Sequence, residues 1–324
     1  FMDHPVAQQA FILVFFFSCF LLFWLGRWII KALLRVAQFL EWREFVVSFF
    51  VMAIAASIPN LFVGISSALR GVPELSFGDI LGGNIIDLTV AIALATFIAG
   101  ELPACSKMVQ TSSIFTIAIT ILPIFLILDG VLGRGDGIIL ISVFFIYLYW
   151  LFSKKERFIK NYGNNKKDLL KDLRNFLKDV LRIALGIILL LIAAEGIIRS
   201  SLFFAQNFNL SIPIVGILIV GIGNAIPDIY FAVLAAKRGE NWMILGDLMG
   251  TIIIPASLIL GIVALICPIK IYDFSPFAVA RFFMIISAFL FLFFIRTGHK
   301  ITKKEAKILF LIYFAFVLFE ILIK

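Results

Sequence analysis

Two stretches decide the fold because they repeat each other: AASIPNLFVGISSALRGVPELSFGDILGGNIID (55–87) and GNAIPDIYFAVLAAKRGENWMILGDLMGTIIIP (223–255). Shifted by 168 positions they align without a gap. Ile58, Pro59, Ala68, Arg70, Gly71, Gly78, Asp79 and Gly82 recur as Ile226, Pro227, Ala236, Arg238, Gly239, Gly246, Asp247 and Gly250. Upstream, Leu34, Ala37 and Gln38 match Leu202, Ala205 and Gln206. Shared apolar composition produces coincident isoleucines, but not Pro, Arg-Gly and Gly-Asp in one register. An internal repeat of this kind fixes the architecture before any single element is assigned.

The material between the motifs is apolar. Of 324 residues, 62% are hydrophobic and 15% charged, with mean hydropathy +1.10. Soluble domains carry about 45–50% apolar and about 25% charged residues. A soluble enzyme, a disordered regulator and a secreted disulfide scaffold are therefore excluded. Cys19, Cys105 and Cys267 form neither a disulfide nor a metal-ligand pattern. A bilayer crossing takes roughly 20 apolar residues. Spans are expected near 8–28, 45–69, 75–99, 108–129, 136–152, 180–204, 212–236, 242–266, 276–296 and 305–323. The first run has no basic leader or small-residue cleavage site, so it reads as a retained helix. The expectation is an all-α polytopic membrane protein of ten transmembrane helices in two five-helix repeats. The first repeat covers 1–152, with its core motif at 55–99. A basic linker covers 153–179, and the second repeat covers 180–324, with its motif at 223–266.

Lys and Arg crowd into the loops after helices 1, 3, 5, 7 and 9, and most densely into the segment from Lys154 to Arg182. The positive-inside rule makes that set cytoplasmic and both termini external. The net charge of +8 is thus an orientation signal, and no nucleic-acid partner is expected. The partner expected from this pattern is the lipid bilayer, in a prokaryotic cell membrane. Nothing in the sequence specifies a protein partner. Five helices per half is an odd number, so the halves enter the membrane from opposite sides. Inverted repeats are the usual construction of secondary transporters, with the site near the midplane between them.

Pro59 and Pro227 lie inside helices, where a proline lacks the N–H that binds the carbonyl four residues earlier. The freed carbonyls belong to Ala55 and Gly223, and in hydrocarbon such a group persists only where it faces protein, water or an ion. Asn60 and Asp228 follow directly. A carboxylate at the bilayer centre costs roughly 2.5–3.5 kcal/mol on insertion scales and is a functional signal by default. Asp228 is thus read as a cation or proton ligand. On the next helix Asp79, Gly83 and Asp87 stand at i, i+4 and i+8, one stripe about 12 Å long. Asp87 lies near the midplane, with Asn84 one turn earlier on a neighbouring face. Asp79 and Asp247 read equally well as acids flanking the access pathway and as helix-start carboxylates favoured by the macrodipole. Thr251 corresponds to Gly83, and Pro255 to Asp87. Glu195 and Arg199, at i and i+4, read as a local ion pair.

These motifs resemble those of the calcium/cation antiporter superfamily, and of sodium/calcium exchangers in particular. Family repeats carry a G-[TS]-S-x-P-E-like segment followed by G-S-N-x-x-[ND]. Here the first repeat reads AASIPN (55–60) and GGNIID (82–87), the second GNAIPD (223–228) and GTIIIP (250–255). The resemblance covers nearly the whole chain. By position, it puts the repeat acids at Asn60 and Asp228, and the second-segment ligands at Gly83, Asp87, Thr251 and Pro255. Ser57 and the backbone near Ala56, Asn224 and Ala225 match the family's hydroxyl and carbonyl ligands. Asn60 and Pro255 depart from the pattern, which leaves Asp87 and Asp228 as the central acids. The implied activity is exchange of Ca2+, or a related divalent cation, for Na+ or H+, with no resident cofactor. Two other readings stand beside it. One is a non-transporting relative acting as a scaffold. The other is an intramembrane aspartyl protease, against which SFGD (76–79) and ILGD (244–247) each lack the first glycine of GxGD.

Overall fold

The computed structural model describes residues 9–21, 24–25, 28, 56–153, 169–208, 210–239, 241–271 and 275–322. The protein is mostly helical. Helix α1 covers Gln9–Leu21 and α2 Ile58–Leu69. Pro73–Ala99 forms α3, Lys107–Leu126 α4, Arg134–Ser153 α5 and Leu169–Asn207 α6. Ile212–Lys237 is α7, residues 241–266 are α8, Ser275–Gly298 is α9 and Lys303–Leu322 is α10. Among the described residues seven segments are long and apolar enough to cross a membrane. They lie within α3 through α9, while α1 and α2 are apolar but shorter. The expected spans 8–28 and 45–69 lie partly outside the described residues, as does the linker 153–179.

The 168-residue offset reappears in the backbone. Helix α3 widens to a π-helical turn at Asp87–Ala91, and α8 does so at Pro255–Ile259. In α8 the cause is visible: Pro255 has no N–H to give the regular ladder, and a wider turn absorbs the loss. After α2 and after α7 the chain reverses at Gly71 and Gly239, both at φ 73°, a left-handed conformation that glycine adopts without steric cost. Two short antiparallel ribbons join the ends of the helices. Glu101–Pro103 (β1) pairs with Lys300–Thr302 (β4), and Val131–Leu132 (β2) with Ile269–Lys270 (β3). Lys300 Nζ donates to Glu101 Oε2 at 2.8 Å across the first ribbon, and this bond raises the ammonium's pKa. The offset carries β1 onto β3 and β2 onto β4, so each half lends one strand to each ribbon.

Helix α3 is buried almost all round from Leu75 to Thr89, the mark of a helix at the centre of a bundle. It crosses the first half of α7 at backbone contact distance. A Cβ on Gly82 would fall 2.1 Å from the Ile217 carbonyl oxygen, and one on Gly78 would fall 2.6 Å from that of Pro213. From the other side, a Cβ on Gly216 would sit 2.5 Å from the Leu75 oxygen. Only glycine permits this approach, the small-residue packing that membrane helices favour. Two hydrophobic clusters result. The larger joins α3, α4, α5, α8, α9 and α10 to one face of α7. The smaller joins α1 and α6 to one face of α2, α3 and α7, through Phe15, Ala194, Ile198, Val63, Leu75 and Val220.

Candidate cation-binding site

The glycine crossing of α3 and α7 sets the polar stripes of the two helices against each other. Asp79, Gly83 and Asp87 lie along α3; Asn224 and Asp228 stand one turn apart on α7. Asp228 lies within electrostatic reach of both Asp87 and Asp247, and Asp87 within reach of Asp247. Three carboxylates from α3, α7 and α8 therefore share one buried region. Thr251, one turn after Asp247 on α8, holds its hydroxyl within hydrogen-bonding reach of Asp87 and also donates to the Leu248 carbonyl at 3.1 Å. Asp87 is 3% exposed, and its Oδ1 has no hydrogen-bond donor among the described residues. A buried carboxylate oxygen with no donor, beside two more acids, is strongly unfavourable unless a cation or proton offsets the charge. Among the described residues, no three His, Cys, Asp or Glu side chains converge closely enough to form a complete metal cage. A cation held here would need to take part of its shell from amide, hydroxyl or carbonyl oxygens.

The sequence offers several neutral oxygens for this role. Pro227 lies inside α7, so Gly223 lacks its usual N–H partner four residues on. Ser57 and Asn84 are buried, and Asn60 is half-buried on α2. Pro59, expected within a helix, stands in the first turn of α2 as described, where a missing N–H costs nothing. Ala55, whose carbonyl it was expected to free, lies outside the described residues. At Gly83 an added Cβ would meet only the Gly221 oxygen, at 3.9 Å, so the stripe between Asp79 and Asp87 is open at this level.

Asp79 and Asp247, equivalent in the repeat, have different surroundings. Asp79 is fully buried and both its oxygens accept from Asn224 Nδ2, at 3.0 and 2.9 Å. The residue 168 positions before Asn224 is Ala56, so Asp247 has no such amide to expect and instead joins Asp87 and Asp228. The sequence marked both acids, but their separate partners depend on which helices cross. Glu195 forms the expected pair with Arg199, whose Nε donates at 2.6 Å, and also accepts from Arg70 Nε at 2.7 Å. That second bond ties α2 to α6.

The profile of the sodium/calcium exchanger protein family matches residues 10–153 and 178–322, nearly the whole of both halves. The chain belongs to this family. It is similar to the sodium/calcium exchanger MaX1 of Methanosarcina acetivorans, 24% identical over 321 residues that cover 89% of this chain and 91% of MaX1. It also resembles the inner membrane protein YrbG of Escherichia coli, 26% identical over 71% of each chain. Among solved structures, the sodium-calcium exchanger NCX_Mj, soaked with 100 mM Na+ and 10 mM Sr2+, superimposes with TM-score 0.66. That match covers 96% of this chain and 98% of NCX_Mj at 21% identity, a likeness of fold. The chain is accordingly a multi-pass membrane protein of a transporter family, not an enzyme, and the protease reading falls away.

Proposed function

We propose that this exchanger-family protein is a secondary antiporter that exchanges Ca2+, or a related divalent cation, for Na+ or H+ by alternating access. The carrying observation is the mutual electrostatic reach of Asp87, Asp228 and Asp247, with a buried Asp87 oxygen that has no donor among the described residues. Asp87 and Asp228 match one divalent cation or two monovalent ions in charge, so both substrates can compete for the same pair. Asp247 adds negative potential beside them. Thr251, Asn224, Ser57, Asn60, Asn84 and the Gly223 carbonyl supply neutral oxygens. In this reading the two halves are inverted five-helix repeats around a midplane site, and each lines one side of the pathway in turn. Reciprocal strand exchange and the matched π-helical turns support that arrangement. The basic segment 153–179 faces the cytoplasm of a prokaryotic cell and both termini face out.

Tracer Ca2+ uptake into proteoliposomes, under outward Na+ or H+ gradients and at clamped membrane potentials, tests the proposal. Gradient-driven uptake insensitive to potential is expected, since one divalent cation exchanges for two monovalent ions. Uptake driven by potential alone would overturn that stoichiometry. No gradient-driven uptake of any divalent cation would favour the non-transporting reading, to which Asn60 and Pro255 point.

A further inference from the structure

Asp79 is the most deeply buried of the membrane acids, and the exchange chemistry proposed above gives it no part. Its surroundings are specific. Both carboxylate oxygens accept from the Asn224 amide nitrogen, at 3.0 and 2.9 Å, across the glycine crossing of α3 and α7. Cys19 of α1 lies close by, and its sulfur would meet a Cβ on Gly223 at 3.0 Å, so α1 backs this corner. Because both Asp79 oxygens accept from Nδ2, the Asn224 amide presents its nitrogen end to Asp79. The oxygen end, Oδ1, is left for the other side. Asn224 stands one turn before Asp228 on the same face of α7.

We infer that Asp79 is a positioning residue that locks the Asn224 amide with its oxygen offered to the transported cation. The inference rests on the cation-exchange reading above. Without Asp79, the amide could turn its donor nitrogen toward the cation, and an N–H pointed at a cation repels it. Outer-shell partners of metal ligands act in this way, and losing one typically lowers affinity about 10–100-fold. The device belongs to one half only, because Ala56 stands where a symmetric partner for Asp247 would be.

The test is a double-mutant cycle on the full-length protein, reading the Ca2+ concentration that gives half of the cation-induced rise in melting temperature. Asp79→Asn and Asn224→Ala should each raise it about tenfold or more, and the combined variant should be no worse than Asn224→Ala alone. Additive losses would mean that Asp79 acts through its charge alone and would overturn the inference. So would an unchanged Ca2+ response in Asp79→Asn. If Asp79→Asn does not fold, the exchanged pair Asp79→Asn with Asn224→Asp decides. It keeps the hydrogen bond with donor and acceptor reversed and turns a carboxylate oxygen of position 224 toward the cation. Half-saturation at or below the wild-type concentration is expected; a tenfold rise contradicts the inference. A wild-type protein stabilised by no cation would overturn the exchange reading and this inference together. A wild type that responds alongside an unaffected Asp79→Asn removes only the positioning role.

Discussion

Asp87, Asp228 and Asp247 do not contribute alike. Asp87 is the most buried of the three and has an oxygen with no donor among the described residues, whereas Asp228 and Asp247 keep part of their surface exposed. Two unit charges several ångströms apart interact by about 1–3 kcal/mol at an effective dielectric of about 20. Removing the Asp247 charge should therefore raise half-saturating Ca2+ roughly tenfold while leaving turnover measurable. Dose–response curves of tracer uptake by Asp247→Asn check this; complete loss of uptake would make Asp247 a direct ligand. Asp87 and Asp228 stood out in the sequence because a carboxylate inside an apolar span is costly. The grouping of Asp247 with them, and of Asp79 with Asn224, was not legible. Helical spacing orders residues along one helix but does not say which helices cross, and the Asp79–Asn224 bond spans 145 positions.

At the scale of elements, the site depends on how closely α3 approaches α7. The Gly78, Gly82 and Gly216 contacts bring backbone to backbone, and no side chain can yield to relieve an added methyl group. Gly82→Ala should destabilise the protein by about 1–3 kcal/mol, the usual cost of overpacking, and should also weaken cation binding by spreading the stripes. Thermal melts in detergent with and without Ca2+ measure both effects. Gly83→Ala is the contrasting variant: its Cβ meets only a carbonyl at 3.9 Å, so stability should hold within about 0.5 kcal/mol. The repeat motifs marked Gly78 and Gly82 but not Gly216, and the apolar runs announced most helices. The π-helical turns were not legible. Pro255 suggests one, but nothing about Asp87 as a residue type distinguishes a π turn from regular helix.

At the scale of the molecule, α1 and α6 form a hydrophobic cluster with one face of α2, α3 and α7, beside the larger cluster that holds the rest. The bond from Arg70 to Glu195 joins α2 to α6 at the edge of this smaller cluster. Its groups are partly exposed, so Glu195→Gln should cost at most about 1 kcal/mol of stability, read by thermal melting. The membrane class and the repeat were open to sequence reasoning because composition and a fixed offset act over the whole chain. The strand exchange between halves was not, since β1 to β4 are each two or three residues long and carry no pattern of their own.

In the exchange mechanism proposed above, the transported cation is held between Asp87 of α3 and Asp228 of α7. Tracer Ca2+ exchange by Asp87→Asn and Asp228→Asn proteins, reconstituted at matched density beside the wild type, tests it most directly. Near-isosteric amides preserve the packing and remove the charge, so gradient-driven exchange is expected in the wild type and its loss, by about a hundredfold or more, in each variant. Exchange at wild-type rates by either variant would contradict it.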